Sequence, residues 1–365
     1  MNFVKPIFQQ GRQAYRNFLR KSVSFLLYFL AAGIVLFIFV VRPGINGYYR
    51  AMFPDMVHGR AYKPFVYRTL LPTTIRTVAE VTPESVKQGF NAAFQNKKMV
   101  RILEWEKEYL YEYFVGLILI FCCFVGLAFT LRYLVRLFYK FPSFVADFAP
   151  LGGLLILPVF FKYYSYLYDP STLLLFTLAI VPMVKRNFLL FYIVFLLATL
   201  NKETSILLTG IFFIREFKVM PRPSWVKHVL LQIAAWVGIR ALLTAAFKNN
   251  PGSLVEFHLL DHNLGLICNP QEFLYFIIVI AVFAVLIKYR WAEKPAFLRQ
   301  GLVITLAPLM SLALFFGFVD ELRGYYEAFP FIFLLSLPTI VDIFELRHHT
   351  PEGDRPESLP DEKEV

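Results

Sequence analysis

Ser22-Val-Ser-Phe-Leu-Leu-Tyr-Phe-Leu-Ala-Ala-Gly-Ile-Val-Leu-Phe-Ile-Phe-Val-Val41 contains no charged side chain. At 1.5 Å per residue such a run spans the roughly 30 Å hydrocarbon core of a bilayer. Lys5, Arg12, Arg16, Arg20 and Lys21 precede it and Arg42 follows it. The run is too long for the core of a secretory signal peptide and has no small-residue cleavage site, so it reads as a retained membrane span.

The rest of the chain repeats this pattern. Of its 365 residues 58% are hydrophobic, 18% aromatic and only 17% charged, against about 25% charged in an average soluble domain. A soluble fold of this size could not bury that much Phe, Leu, Ile and Val. Further apolar runs cover Tyr113 to Leu131, Phe144 to Phe161, His228 to Phe247, Phe273 to Ile287, Gly301 to Phe318 and Pro330 to Leu346. Between Asp169 and Arg215 the pattern changes to three shorter pieces, Ser171 to Val184, Phe188 to Leu200 and Ser205 to Ile214. They are split by Lys185-Arg186 and by Asn201-Lys-Glu-Thr204. Interrupted helices are tolerated at membrane depth where they line a polar cavity. The expectation is an all-α polytopic transmembrane helical bundle of about ten membrane segments, including short interrupted helices, with a long first extracytoplasmic loop.

The formal charge of +11 does not imply a nucleic-acid partner. The basic residues stand in short clusters between apolar runs, where they set topology. Placing Arg132, Arg136 and Lys140, then Lys185 and Arg186, then Arg215 to Lys227, then Lys288 to Arg299 on the cytoplasmic side closes the alternation. The predicted organisation is a basic cytoplasmic N-terminus (1-21), a transmembrane domain (22-346) and a polar cytoplasmic tail (347-365), in the inner membrane. Residues 42-112 form the first outer loop. Within it Thr82-Pro83-Glu84 reads as a helix start with Thr82 as its cap, and surface helices are expected between Thr82 and Lys107. Cys122, Cys123 and Cys268 offer neither a disulfide framework nor metal-ligand spacing.

The unusual polar residues then fall on the outer side. They are Asp55 with His58 and Arg60; Pro64-Phe-Val-Tyr-Arg-Thr-Leu-Leu-Pro72; Tyr168-Asp169-Pro170; Asn201-Lys-Glu-Thr204; and Asp320-Glu-Leu-Arg-Gly-Tyr-Tyr-Glu327. Ionisable groups beside hydrocarbon are costly unless paired or in cavity water, so several together point to a site. Arg68 and Arg323 suit phosphate oxygens, or pair with Asp169, Glu203, Glu321 or Glu327 to join helices. Glu203 also fits a helix cap, a reading that leaves Lys202 unexplained. Asp55 is placed to act as a general base, or is a solvated loop acid. His58, His258, His262 and Asp261 match no metal-ligand pattern. Tyr163-Tyr164-Ser165-Tyr166 and Tyr325-Tyr326 fit an interfacial belt or a sugar-stacking face. Arg240, inside a span, requires a carboxylate or carbonyl partner.

A retained first span, a long first outer loop with an acid, interrupted helices and outward basic residues together resemble the GT-C superfamily of integral membrane glycosyltransferases. The motifs Pro64-Phe-Val-Tyr-Arg68-Thr-Leu-Leu-Pro72, Asn201-Lys-Glu-Thr204 and Glu321-Leu-Arg323 are similar to those of bacterial membrane proteins grouped with it. The resemblance implies sugar transfer from a polyprenyl-phosphate-linked donor to an extracytoplasmic glycan acceptor, with membrane lipid around the protein and metal dependence open. It makes Asp55 the base, with Asp169 and Glu203 as alternatives because Arg42 to Arg50 holds no carboxylate. Arg68, Lys202 and Arg323, with Glu321 and Tyr168, would bind the leaving phosphate. Two other function classes fit the same layout. A transporter or flippase would place an anionic lipid or sugar among the broken segments, although no internal repeat is evident. A non-catalytic scaffold would need fewer outward charges.

Overall fold

The computed structural model describes residues 4–253 and 257–346, with side chains from residue 15 onward. The predicted tail, 347–365, lies outside the described residues. The helices are α1 (Val4–Phe39), α2 (Phe53–Val57), α3 (Leu70–Val81), α4 (Glu84–Phe94), α5 (Lys98–Ile102), α6 (Leu110–Phe138), α7 (Ser143–Leu155) and α8 (Asp169–Val184). They continue as α9 (Phe188–Asn201), α10 (Ile206–Glu216), α11 (Arg222–Ala246), α12 (Leu264–Ile267), α13 (Pro270–Lys288), α14 (Ala296–Phe316) and α15 (Phe329–Ile343). No strand occurs among the described residues.

Among the described residues six stretches are long and apolar enough to cross a membrane: Tyr15–Gly44, Lys107–Phe138, Ser143–Phe160, Arg222–Ala246, Pro270–Lys288 and Ala296–Phe316. Asp169–Val184, Phe188–Asn201 and Phe329–Ile343 are shorter apolar helices. The protein is therefore a multi-pass helical membrane protein. The last apolar helix is shorter than the apolar run from Pro330 to Leu346, because it closes at Phe344 and Glu345 turns left-handed with φ 50°. The third ends its α-helical part at Leu155 and continues as a 3-10 turn over Leu157–Phe160. Pro158 has no N–H to donate to Leu154, and its ring crowds that carbonyl.

Between Thr82 and Lys107 the chain forms the helices α4 and α5, but Thr82 does not cap the first of them. Its hydroxyl bonds back to the Val78 carbonyl at 2.7 Å and to the Tyr111 hydroxyl, so Thr82 closes α3 instead. Pro83 immediately precedes α4, where its missing N–H breaks no helical bond.

Packing around α6 joins α1, α7 and α8 in one core. At one end of that core Asp147, with no exposed surface, draws three guanidinium groups together. Arg20 of α1 donates through Nε at 3.0 Å, and Arg132 and Arg136 of α6 donate at 2.8 and 2.6 Å. The Tyr28 hydroxyl donates to the Asp147 carbonyl, closing the junction. The apolar reading of Phe144 to Phe161 passed over this one acid. Elsewhere α14 and α15 meet closely because Gly301 has no Cβ; one placed there would collide with the Phe331 ring.

Removing one partner of a buried ion pair strands the others, at a cost of about 3 to 5 kcal/mol. Asp147→Asn is expected to lower stability by that amount in detergent unfolding experiments. Asp55→Asn, at a carboxylate paired with the half-exposed Arg60, is expected to change it by less than about 1 kcal/mol. Equal effects would remove Asp147 from its central place.

Candidate functional site

Four chain breaks meet at the end of the bundle away from Asp147: Pro64 to Thr69, Lys162 to Tyr168, Asn201 to Ser205 and Val319 to Ala328. Asn201, the last residue of α9, ties two of them together. Its amide donates to the Tyr168 carbonyl at 3.1 Å and to the Thr172 hydroxyl at 2.8 Å, and its carbonyl accepts from Ser171 at 2.6 Å. The Thr69 N–H donates to the Leu200 carbonyl at 3.0 Å, adding the third. Polar backbone exposed by the breaks is thereby bonded within the protein, as a low-dielectric setting requires.

Arg68, only 8% exposed, lies at the centre. It donates from Nη2 to Glu203 Oε1 at 2.8 Å and from Nη1 to the Tyr168 hydroxyl. Glu203 Oε2 faces Arg240 of α11 at 3.9 Å, and the Trp236 indole donates to the Glu203 carbonyl at 2.8 Å. Arg240 thus finds the carboxylate its position inside a span requires, with the Tyr67 ring beneath it. Glu203 opens a 3-10 turn ahead of α10, and its carboxylate serves the two arginines. Burial works to raise its pKa, but the Arg68 charge and hydrogen bond, helped by Arg240, outweigh it and bring the value down to about 2.

Asp169, 1% exposed, starts α8 and accepts the Tyr166 N–H at 3.1 Å. Its other oxygen faces Arg323 at 3.9 Å, while Arg323 bonds closely to Glu321 at 2.7 and 2.8 Å. The rings of Tyr166 and Tyr168 stack with centroids 5.5 Å apart. Arg323 lies 4.0 Å over the first and Arg68 4.2 Å over the second. Aromatic faces partly replace water around both cations. Lys202, unexplained by capping, pairs at 2.9 Å with Glu327, which also accepts the Thr204 hydroxyl.

This end therefore brings together Arg68, Tyr168, Asp169, Lys202, Glu203, Glu321 and Arg323. It does not bring Asp55, which pairs with Arg60 at 3.1 Å. His58 joins Glu112, and His262 joins Asp320 beside Lys162. Among the described residues no three His, Cys, Asp or Glu side chains cluster as metal ligands would. The paired roles of Arg240 and Glu327 and the bracing by Trp236 were not legible beforehand, since each depends on a partner remote in sequence.

Several buried polar atoms in the cluster make no hydrogen bond within the protein. Arg68 Nε and Arg240 Nη1 are donors; Asp169 Oδ1, Glu203 Oε2 and Glu327 Oε2 are acceptors. Buried polar atoms are normally satisfied, so a group of exceptions marks a place for a guest or for water. Beside the cluster runs an open groove of about 380 Å³ along α3, lined by Thr69, Leu70, Thr73, Thr74, Thr77, Val78 and Leu200. Thr69 follows Arg68 directly, and Leu200 lies two residues before Lys202.

No known protein family, curated protein or solved structure matches the chain.

The depressed pKa of Glu203 sets a pH signature. A carboxylate with a lowered folded-state pKa stabilises the fold above its unfolded value and loses that contribution as pH falls through the folded one. The stability difference between wild type and Glu203→Gln is therefore expected to stay level at neutral pH and to shrink between about 4.5 and about 2. Unfolding midpoints across that range test it; a gap that stays constant to pH 2 would refute the Arg68–Glu203 assignment.

Proposed function

We propose that this protein is a membrane glycosyltransferase of the GT-C kind that takes a sugar from a polyprenyl-phosphate donor and passes it to a glycan acceptor of the cell envelope. One observation carries the reading: cations from four separate elements, interleaved with the carboxylates of Asp169, Glu203, Glu321 and Glu327, gather beside an open groove at one end of a membrane bundle. Arg68, Lys202, Arg240 and Arg323 supply positive charge, and donors on Arg68 and Arg240 are unused within the protein. A phosphate ester leaving from an anomeric carbon needs that charge more than it needs a proton, and fixed cations in a dry site supply it. The largely apolar groove along α3 suits the first isoprene units.

In this reading α8, α9, α10 and α15 also cross or half-cross the bilayer. That gives about ten segments, with both termini cytoplasmic, and positive residues at the Asp147 end support the orientation. The acceptor hydroxyl attacks the anomeric carbon, forming the new glycosidic bond. The bond from that carbon to the phosphate oxygen breaks, and the carrier phosphate departs with the electron pair. The hydroxyl proton passes to a carboxylate. Asp169 is the best placed base, because Oδ1 is buried without a hydrogen bond and its nearest cation stands at 3.9 Å. Glu203 is held by Arg68 and serves as a positioning residue. Asp55 lies outside the cluster.

Purified protein in lipid nanodiscs, given tritium-labelled hexosyl polyprenyl phosphates and envelope glycan, is expected to move label into glycan. Asp169→Asn is expected to reduce turnover about 100-fold or more while retaining bound polyprenyl phosphate. Arg68→Ala is expected to weaken that binding about tenfold or more, and Asp55→Asn to leave transfer unchanged. Wild-type rates in Asp55→Asn, Asp169→Asn and Glu203→Gln alike would end the enzymatic reading.

A further inference from the structure

A row of tyrosine rings leads into the charged cluster from the loops beside it. Tyr62 and Tyr49 pack with ring centroids 5.9 Å apart, Tyr49 and Tyr48 at 5.5 Å, and Tyr48 and Tyr164 at 4.8 Å. Tyr164 then stacks on Tyr166 at 6.0 Å, and Tyr166 on Tyr168, the two rings that carry Arg323 and Arg68. Exposure falls along the row, from 60% at Tyr49 to 3% at Tyr166 and none at Tyr168. Tyr48, Tyr62 and Tyr164 are half-buried between these limits. Phe65 packs against the middle of the row, 5.5 Å from Tyr48 and 5.0 Å from Tyr166.

The tyrosines come from three separate chain segments, and none belongs to a membrane-crossing stretch. Tyr62 sits at a junction of loops: the neighbouring Lys63 N–H donates to the Pro251 carbonyl at 2.8 Å, and the Asn250 amide donates to the Gly59 and Ala61 carbonyls at 2.9 Å. A tyrosine of an interfacial belt works singly, at the end of a membrane helix; these touch one another across the chain. Side by side, such rings offer apolar faces with hydroxyl edges at small entropic cost. Arg50 lies over Tyr49 and Tyr62 at 5.4 and 5.8 Å and donates to the Tyr49 hydroxyl at 2.8 Å, which steadies the outer rings. A gluco-configured sugar has the matching character, with C–H groups across its faces and hydroxyls around its rim. A proline-rich peptide also docks on aromatic rows, but it brings no hydroxyl to the carboxylate of Asp169 at the inner end.

We propose that Tyr49, Tyr62, Tyr48 and Tyr164 form a binding platform for a β-linked, gluco-configured oligosaccharide, whose end they direct towards Tyr166 and the charged cluster. The proposal rests on the transferase reading in taking that oligosaccharide as the acceptor, and it adds the acceptor's class and its route of approach. Sugar units remote from the reacting end stack on the outer rings, which leaves the groove along α3 to the carrier lipid.

Full-length protein in phosphatidylcholine nanodiscs, with no donor present, is titrated into dye-labelled cellohexaose or chitohexaose, and fluorescence anisotropy reads the binding. Wild type is expected to bind at least one of them, in preference to the same dye on a polyethylene glycol chain or on decaproline. Tyr49→Ala is expected to weaken binding about fivefold or more, whereas Tyr49→Phe, which keeps the ring, retains most of it. Tyr289→Ala, at an exposed tyrosine that follows α13, is expected to bind as wild type does. Absence of binding to both oligosaccharides would overturn the proposal, as would a preference for decaproline. So would unchanged binding in Tyr49→Ala, a loss in Tyr49→Phe as large as that in Tyr49→Ala, or an equal loss in Tyr289→Ala. Because no donor is present, a failure of sugar transfer leaves the platform standing, and a failure of binding leaves the transferase reading to its own assay.

Discussion

A guanidinium cannot be left alone inside a membrane bundle, and the placing of Arg68 organises everything around it. Its charge requires Glu203, which fixes the turn between α9 and α10. Glu203 in turn answers Arg240, which draws α11 to the same point, and Trp236 braces the backbone of that turn. The planar face of Arg68 requires Tyr168, which anchors the start of α8. One side chain in the loop before α3 thus gathers the ends of helices that would otherwise present raw carbonyls and N–H groups to hydrocarbon. The ion pairs do not chiefly add stability, since burying charge is costly even when it is matched. They dictate which helix ends meet.

Much of this layout was legible in the sequence, and the reason is that lipid imposes a simple rule on it. Runs of Phe, Leu, Ile and Val about twenty residues long have few other uses, so the long spans and the three short pieces could be read directly. Arg68, Lys202, Glu203 and Arg323 stood out because charged residues at the lip of an apolar run need a reason. The pairings were not legible. Lys202 meets Glu327 and Arg240 meets Glu203 through folding alone, and nothing in local spacing distinguishes those partners from Glu321 or Asp169. Asp147 was missed for the opposite reason: one acid in an apolar run reads as noise until three arginines from other helices arrive. Thr82 misled because its sequence context matches a helix start, whereas the hydroxyl finds the carbonyl one turn behind it.

The two ends of the bundle answer the same electrostatic problem differently. At the Asp147 end a single acid lies at the centre, and the guanidinium groups of Arg20, Arg132 and Arg136 surround it. At the other end cations and acids alternate, Arg323 between Glu321 and Asp169, Glu203 between Arg68 and Arg240, Lys202 on Glu327. Charges there are nearly balanced, yet several buried nitrogens and oxygens lack hydrogen bonds. The first arrangement ties α1, α6 and α7 to one point. The second suits a site in which charge moves, because donors and acceptors are both at hand within a low-dielectric wall.

The shortness of α9 reaches beyond the protein itself. Its 14 residues extend about 21 Å, against a hydrocarbon thickness of roughly 30 Å, and Leu189, Ile193, Leu196 and Leu197 face outward along it. In the proposed topology, where α9 crosses the bilayer, acyl tails next to it would compress to meet its ends and the leaflet would dimple locally through hydrophobic mismatch. Headgroups beside Asn201 and Lys202 would then ride lower than those elsewhere on the perimeter, and a lipid diffusing in the plane would reach the charged cluster without being lifted out of its leaflet.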